Sequence, residues 1–410
     1  MKLLNSNLKS ISAFCLMLIM FLNSGTLYFG RLHSQGSLIV YIIFLCVHIV
    51  IYNKECQLSK NNIKILAVIL SCILWSVIGN LLVIDDIYIT QLFNLVVHLI
   101  LLFLTISVLK DTDIIKYYIE IMTIISIISL VCFSMYYLGQ NLISLFSSYT
   151  YDENGNMYIC AFYHNWGWTD LFYRNAGPFW EPGAYQIFLS LGVLMVIHFK
   201  NIIKCSRFKL LLFFITLITT RSTTAYFVIV LIFLFNINEI VDIILDKNKK
   251  YKNLMILVFS AIMTIAFYYI MHSDVVIQKF NGYNQQSFFT RRNDLYSSFK
   301  LIWKSPIFGM GFGQQMHNAE RMMGINNNSV GLLYYSYVLG IPFMLIYARL
   351  YLDGLVDFFN ISKIKDYVLF ILVFLMFWTT EGLLFIFILN IFIFKTKREA
   401  ANVEKSNKPI

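Results

Sequence analysis

Runs of about twenty apolar residues recur along the whole chain, and they limit its possible folds more than any other feature. A helix of ~20 apolar residues is long enough to cross the ~30 Å hydrocarbon core of a bilayer. Of the 410 residues, 59% are hydrophobic and 13% are charged, whereas a soluble domain has about 25% charged residues. We therefore predict an all-α polytopic membrane protein. The apolar runs cover residues 10–29, 37–52, 63–84, 91–109, 117–138, 184–199, 210–237, 254–271, 329–350 and 367–394.

Basic residues in the short connections predict the orientation of these runs. Lysines precede the first run and follow the second and the fourth, while the opposite side carries Asp85 and Asp86. Because short cytoplasmic loops are enriched in lysine and arginine, we expect both termini in the cytoplasm. The polar residues 396–410 are expected to form a disordered tail. The formal net charge of +10 is spread over these loops and does not predict a nucleic-acid partner.

Two runs of 28 residues, 210–237 and 367–394, are interrupted by polar residues at Thr219–Thr224 and Thr379–Gly382. Basic segments flank each run on both sides, so each run must leave the cytoplasm and return to it. We expect each to form two short spans that meet at a polar tip, because non-helical backbone at membrane depth survives only where protein or water covers it. The prediction is about twelve crossings, including these two broken pairs, in a single transmembrane domain of residues 1–410.

Two long connections lie on the predicted extracytoplasmic side. Residues 140–183 carry one basic and four acidic residues, and their aromatic residues fit either the interfacial belt or stacking on sugar rings. Residues 272–328 carry six basic and three acidic residues, and a net-positive outer loop suggests an anionic ligand. Within this second loop we expect an amphipathic helix at 296–303 and a glycine turn at 309–313 whose backbone amides approach a ligand.

The ten residues Arg174–Gly183 form the most unusual stretch of the chain. They hold two of its five prolines and two of its glycines, together with Arg174 and Glu181. Proline and glycine break the hydrogen-bond ladder of a membrane helix, so we predict a structured loop here. The two charged side chains either pair with each other or take part in chemistry.

Four outer arginines are candidate phosphate ligands, because the guanidinium fork matches phosphate oxygens and stays charged where the dielectric constant is low. They are Arg174, Arg221, Arg291 and Arg292. We expect them to converge over one outer cavity. Other interpretations stay open: Arg221 also fits a helix cap, and Arg291 and Arg292 also fit contacts with phospholipid headgroups.

Glu181 and His317 are the candidate general bases, since either side chain is able to remove a proton from an attacking hydroxyl. His317 also fits an ordinary polar loop residue. The sequence shows no Cys/His spacing typical of a metal site. It also lacks a phosphate-binding loop motif, which argues against an ATP-driven pump.

Three blocks of the chain resemble motifs of a known family. The first is Arg174–Gly183, with an arginine-x-x-glycine pattern followed by an acidic-proline turn that opens a helix. The second is Thr220–Thr223. The third extends from Arg292 through Gly309-x-Gly311-x-Gly313 and His317-Asn318 to Gly340. In this order the blocks resemble the bacterial surface-polysaccharide polymerases of the Wzy type, which polymerise O-antigen or capsule repeat units and share a superfamily with the O-antigen ligases.

The third block departs from the family pattern in one respect. The family's histidine-asparagine pair lies close to the start of the next span, whereas His317 lies twelve residues before Ser329. Asn327-Asn328-Ser329 occupies the expected place instead. Glu181 is therefore a rival of His317 for the role of base.

The resemblance implies a GT-C-like, metal-independent glycosyltransferase without a cofactor at the outer face of the bacterial inner (cytoplasmic) membrane. One undecaprenyl-diphosphate-linked oligosaccharide donates its chain to a sugar hydroxyl of another, while the arginines hold the diphosphates and Gly177 and Asn318 support the site. Outside the matching blocks, Glu381 at the second broken run is a further supporting candidate that also fits a helix cap. The implied partners are membrane lipids and, in the cell, a chain-length regulator and a flippase. Two alternatives stay open, namely a ligase that transfers polymer to lipid A–core and a transporter of lipid-linked sugars.

Overall fold

The structure is a computed structural model in which most of the chain is helical. It describes residues 2–26, 35–52, 58–81, 89–137, 150–151, 157–160, 163–166, 174–245, 249–272, 285–325, 330–380 and 386–395. The α-helices in these residues are α1 (Lys2–Leu22), α2 (Gln35–Tyr52), α3 (Lys60–Leu81), α4 (Ile89–Val108), α5 (Asp111–Tyr137), α6 (Pro182–His198), α7 (Ser206–Thr219), α8 (Thr223–Leu245), α9 (Lys252–Met271), α10 (Gln285–Lys304), α11 (Gln314–Met322), α12 (Gly331–Leu339), α13 (Ile341–Phe359) and α14 (Ile364–Thr380). The same part of the chain contains two short 3-10 helices, Lys249–Tyr251 and Phe387–Ile393, and four short strands.

Four of the described helices are long and apolar enough to cross a membrane. These are α3, α4, α5 and α8. Shorter apolar segments occur in α1, α2, α6 and α9. The helices therefore support the predicted class of helical membrane protein, whereas the predicted number of twelve crossings is not confirmed.

Contacts divide the chain into two compact units. The first unit comprises Met1–Ser24, Leu32–Asp113 and Tyr283–Ile410. The second comprises Gly25–Arg31 and Ile114–Gly282. The single transmembrane domain that the sequence suggests stays a prediction.

The core of the second unit is organised around α6. Of its 17 residues, 15 are buried, and apolar residues occur on all sides of the helix. A helix that is apolar all round lies in an interior, and α6 accordingly contacts α7, α8 and the last strand of the sheet. The Tyr118 hydroxyl of α5 donates a hydrogen bond of 2.7 Å to the Phe188 carbonyl, which adds a polar contact to this packing.

A small antiparallel sheet corrects the all-α prediction. Its strands are β1 (Thr150–Tyr151), β2 (Met157–Cys160), β3 (Tyr163–Trp166) and β4 (Arg174–Gly177), in that spatial order. The sequence contains the signals for such strands, because tyrosine and tryptophan favour pleated structure and an Asn-Gly dipeptide separates the first two segments. The first long loop is therefore partly a sheet.

The first predicted helix interruption is confirmed, but its two arms differ in length. Helix α7 ends at Thr219 and α8 begins at Thr223. Between them Arg221 adopts a left-handed backbone conformation with φ of 47°. Helix α8 extends past the predicted run to Leu245, but its backbone leaves helical geometry at Asn236 (φ of −124°, ψ of 23°), so a kink divides the 23 residues close to the predicted end of the run. The pair of half-length spans stays a prediction.

The second predicted interruption has a different outcome. Helix α14 ends at Thr380, but the following arm is a 3-10 helix of seven buried residues, Phe387–Ile393, rather than an α-helical half-span. This 3-10 helix packs closely against α13. A Cβ atom at Gly354 of α13 would lie 1.5 Å from the Phe392 carbonyl oxygen, so the two backbones are in direct contact.

A further helix interruption lies inside the predicted span 329–350. The structure divides this segment at Gly340, which separates α12 from α13 and has φ of 89°. The next residue but one is Pro342, which is tolerated in the first turn of the new helix. One apolar run in the sequence thus corresponds to two helices.

The glycine turn at 309–313 pairs with this interruption instead of presenting all its amides to a ligand. The Met310 amide donates to the Tyr337 carbonyl at 2.6 Å, and the Gly311 amide donates to the Val338 carbonyl at 2.9 Å. In return, the Ile341 amide donates to the Pro306 carbonyl at 2.8 Å. These bonds satisfy backbone groups that the end of α12 leaves without helical partners.

Glycine is required where these two segments meet. A Cβ atom at Gly309 would lie 2.3 Å from the Val338 carbonyl oxygen, and one at Gly340 would lie 2.4 Å from the Ile307 carbonyl oxygen. Both glycines also have positive φ. No side chain fits either position unless the backbone moves.

We predict that Gly309→Ala and Gly340→Ala destabilise the purified protein by about 1–3 kcal/mol or more, because each combines backbone strain with a steric overlap. Thermal unfolding in detergent, followed by tryptophan fluorescence, measures the effect. Gly36→Ala is the matched control, since its added methyl group meets no atom within 4 Å. Equal stability of all three variants would contradict the pairing of the turn with the helix interruption.

Candidate functional site

The stretch Arg174–Gly183 forms a strand, a turn and a helix start. Its first four residues are β4, and the Phe179 amide then donates to the Ala176 carbonyl at 3.1 Å to close a turn. Glu181 is the N-cap of α6, and Pro182 is the first residue of that helix. Proline is suited to this place because a first-turn residue has no helical partner for an amide proton. The predicted structured loop is therefore an ordered strand-to-helix connection.

Asn175 fixes β4 against two helices. Its side chain is fully buried, and its Nδ2 donates to Ser129 Oγ at 3.2 Å and to Thr219 Oγ1 at 3.1 Å. Its Oδ1 accepts the Gly177 amide at 3.0 Å. The amide group thus joins β4 to α5 and to the end of α7. This network therefore holds the backbone from which the Arg174 side chain extends.

Gly177 has a packing role in the structure. Its φ is 56°, and a Cβ atom there would lie 2.9 Å from the ring of Tyr185. The hydroxyl group of Tyr185 is hydrogen-bonded to Ser129 Oγ at 3.0 Å, which holds the ring in place. Gly177 therefore allows β4 to lie directly against the first turns of α6.

Arg174 and Arg221, two of the predicted phosphate ligands, lie close together in the second unit. Arg174 Nε donates to the Thr220 carbonyl, the residue before Arg221, at 3.2 Å. Both guanidinium groups also lie near enough to Tyr226 for their charges to act on its hydroxyl group. Both arginines are half-buried. The structure thus forms a cationic cluster of two arginines at the interruption between α7 and α8.

Glu181 does not pair with Arg174 in the described structure. The Glu181 backbone carbonyl accepts the amides of Ala184 and Tyr185, while its half-buried carboxylate has no hydrogen-bond or ion-pair partner among the described residues. A negative charge at the N-terminal end of a helix is stabilised by the helix dipole. Of the two uses that the sequence leaves open for these charges, mutual pairing is thus not observed.

His317 lies on α11 in the first unit and is paired with a carboxylate. Its Nδ1 is 3.1 Å from Glu320 Oε2. The opposite oxygen, Glu320 Oε1, accepts a hydrogen bond of 2.5 Å from the Tyr337 hydroxyl. Neither Glu320 nor Tyr337 is among the residues that the sequence predicts for the site. The spacing of three residues on a helix was a usable signal for the first contact, whereas no sequence pattern indicates the second.

Two pairs of adjacent candidate residues, His317 with Asn318 and Arg291 with Arg292, do not share one environment. Asn318 is exposed and accepts a hydrogen bond from Gln314, so it does not share the environment of His317. On α10, Arg291 is half-buried and Arg292 is exposed. Consecutive helical residues are about 100° apart around the axis, which separates the directions of the two guanidinium groups.

The predicted helix at residues 296–303 is part of α10, and the exposed surface of this helix is aromatic. Tyr296 and Trp303 are exposed, and the Lys300 ammonium lies 4.3 Å from the centre of the Tyr296 ring. Such a face fits a membrane interface, where aromatic rings and lysine side chains concentrate.

The candidate residues therefore form two groups. Arg174, Glu181 and Arg221 belong to the second unit, and His317 belongs to the first unit, as do both arginines of α10. One outer cavity shared by all the arginines stays a prediction. Glu381, expected to support the site, lies outside the described residues.

No protein-family model matches this chain, no curated protein matches its sequence, and no solved structure matches its fold. The resemblance to the polysaccharide polymerases accordingly stays a prediction.

We predict that Asn175→Ala lowers the free energy of unfolding by about 2–4 kcal/mol, because it removes three hydrogen bonds and leaves buried polar groups without partners. Thermal or denaturant unfolding in detergent measures the change. Asn201→Ala, at an exposed turn of the same unit, is the control and should change stability by less than about 0.5 kcal/mol. A similar small effect at Asn175 would show that the network does not hold β4.

Proposed function

We propose that this protein is a membrane glycosyltransferase that joins undecaprenyl-diphosphate-linked oligosaccharide repeat units into a surface polysaccharide, such as O-antigen or capsule. The observation that carries the proposal is the cluster of Arg174 and Arg221 at a helix interruption of a membrane protein. The proposed reaction takes place at the outer face of the bacterial cytoplasmic membrane, as the distribution of lysines suggests.

Two neighbouring arginines suit a lipid diphosphate. Each guanidinium group offers several donors in a rigid plane and keeps its charge in apolar surroundings. When the bond between the sugar and the diphosphate breaks, negative charge accumulates on the leaving phosphate oxygen. Fixed cations stabilise that charge without rearrangement, and removal of one such donor typically slows an enzyme by ~10²–10³-fold.

The backbone at Arg221 supports a functional role for this residue. A left-handed conformation costs a residue other than glycine roughly 1–2 kcal/mol, so the surrounding structure must hold it. Strained backbone of this kind concentrates at binding and catalytic sites. A glycine would adopt the conformation without strain, but it would bring no charge.

The acceptor hydroxyl must lose a proton as its oxygen attacks the anomeric carbon. Glu181 and His317 are both retained as bases for this step. Glu181 lies a short distance along the chain from Arg174 in the second unit, while His317 has a carboxylate partner in the first. The proposed partners are membrane lipids and, in the cell, a chain-length regulator and a flippase.

We predict that Arg174→Ala and Arg221→Ala each lower kcat/KM by ~10²-fold or more, since each removes a charge that stabilises the leaving diphosphate. The conservative Arg→Lys changes should lose about 10–100-fold, because an ammonium group cannot reproduce the fork of donors. The assay uses purified protein in nanodiscs with undecaprenyl-diphosphate-linked repeats, and gel electrophoresis resolves the ladder of products.

Arg349→Lys is the control for this assay, because its side chain is 82% exposed on α13. It should keep full activity. Products that form only when lipid A–core is supplied would indicate a ligase. Substrate flux across vesicles without chain extension would indicate a transporter. Unchanged activity in the Arg174 and Arg221 variants would remove the basis of the proposed site.

We also predict that chain extension continues at an unchanged rate after dialysis against EDTA. Among the described residues no group of three His, Cys, Asp or Glu side chains could hold a metal ion, and the arginines would take the place of a cation at the diphosphate. Loss of activity in EDTA, with recovery on addition of Mg²⁺ or Mn²⁺, would show that a metal carries this charge instead.

A further inference from the structure

Glu320 is an acidic side chain in an unusual environment for a helix of the predicted outer region. It is 8% exposed, although α11 has only nine residues and carries polar neighbours. A carboxylate is stable in such a place only when its oxygens are hydrogen-bonded. Both oxygens have partners, since Oε1 accepts from the Tyr337 hydroxyl at 2.5 Å and Oε2 lies 3.1 Å from His317 Nδ1.

Tyr337 is held in place by the glycine turn. Its side chain is fully buried, and its carbonyl accepts the Met310 amide at 2.6 Å. The amide of Gly311 bonds the next residue, Val338. Because the turn and the interruption at Gly340 fix this backbone, the Tyr337 hydroxyl reaches Glu320 from a fixed position.

The end of α11 is also anchored. The Met323 carbonyl accepts hydrogen bonds from the side chains of Asn293 and Ser297 on α10, each at 3.3 Å. The Met323 and Ile325 amides in turn donate to the Glu320 carbonyl. The backbone of Glu320 is therefore linked to α10 through hydrogen bonds that do not involve the Glu320 side chain.

We propose that Glu320 is a positioning residue for His317, and that Tyr337 holds Glu320 in the required orientation. This inference rests on the proposed glycosyltransferase function, with His317 as its base. A buried carboxylate that accepts the Nδ1 proton fixes one tautomer of the imidazole and makes Nε2 the basic nitrogen. The His317 side chain is 37% exposed, so the ring extends from the buried carboxylate toward the surface.

The proton transfer balances in this arrangement. The acceptor hydroxyl oxygen forms a bond to the anomeric carbon of the donor, and the bond from that carbon to the diphosphate oxygen breaks. The hydroxyl proton moves to Nε2 of His317, and the diphosphate leaves with the bonding electron pair. Glu320 stays ionised and stabilises the imidazolium ion, which later loses its proton to water.

An ordinary surface ion pair would not have these features. A pair of residues three apart on an exposed helix contributes little and requires no further partner. Here a second, buried side chain from α12 donates to the carboxylate. The carboxylate that orients the histidine is therefore itself held by a buried donor, in addition to the orienting contact that such a base needs.

Glu320→Gln tests the proposal, because glutamine keeps the shape and removes the charge. We expect kcat to fall by ~10²-fold or more with KM little changed, and Tyr337→Phe to lower kcat by about tenfold. Adding Glu320→Gln to His317→Gln should cause no further loss, because residues that act as one unit are not additive. Asp353→Asn, at a side chain that is 61% exposed, is the matched control and should leave kcat unchanged.

A second measurement does not depend on activity. In protein labelled with 15N-histidine, the His317 signals are assigned by their loss in His317→Gln. We expect a single tautomer with the proton on Nδ1 in the wild type and a mixture in Glu320→Gln. Should Glu320→Gln fail to fold, Tyr337→Phe is measured in its place.

The outcomes separate the two proposals. A wild-type protein that extends no chains would refute the proposed function, while the NMR signals would still report whether Glu320 positions the ring. Normal kcat together with an unchanged tautomer in Glu320→Gln would overturn the positioning role and leave the polymerase proposal intact.

Discussion

The structure depends on one constraint, which is that backbone hydrogen-bonding groups in apolar surroundings must find partners. An uninterrupted helix satisfies them internally, but each interruption exposes carbonyl and amide groups. At the end of α7, the carbonyl of the buried residue Thr220 accepts a hydrogen bond from Arg174 Nε. At Gly340, the carbonyls at the end of α12 are bonded by amides of the glycine turn.

These two solutions have different chemical consequences. A carbonyl bonded by an arginine leaves a positive charge next to the interruption, and Arg221 adds a second one. Backbone amides add no charge at the interruption, but their hydrogen bonds to the Tyr337 and Val338 carbonyls fix the backbone of Tyr337. The Tyr337 hydroxyl is thereby placed to donate to Glu320. The proposed phosphate ligands, and the tyrosine that supports the proposed base, thus both lie where backbone groups at a helix interruption find their hydrogen-bond partners.

The sequence was sufficient for the class of protein and for one interruption. Thr219–Thr224 disturbs an apolar run with polar and charged residues, so the end of α7 was predictable. Gly340 and Pro342 do not predict an interruption, because apolar residues surround them and the run has the length of one span. The length of a run therefore predicts membrane insertion better than it predicts helix number.

The candidate site was predictable where its residues are close in the chain. The proximity of Arg174 to Arg221 followed from two unusual polar segments predicted on the same side of the membrane, although the hydrogen bond of Arg174 to the Thr220 carbonyl did not. Tyr337 is separated from Glu320 by 17 residues and lies in a segment that reads as an ordinary span. Hydrophobic periodicity carries no information about such a contact, because a tyrosine hydroxyl leaves the apolar pattern unchanged.

The division of the chain into units has a consequence for biosynthesis. In the first unit, Ser24 bonds the Ile388 amide, and Asn62 exchanges two hydrogen bonds with the backbone of Lys395. These partners are more than 330 residues apart, so α1 to α4 are synthesised long before their C-terminal contacts exist. The second unit is almost continuous and can assemble while the ribosome is still at work. These contacts of the first unit therefore form only after the chain has been synthesised as far as Lys395.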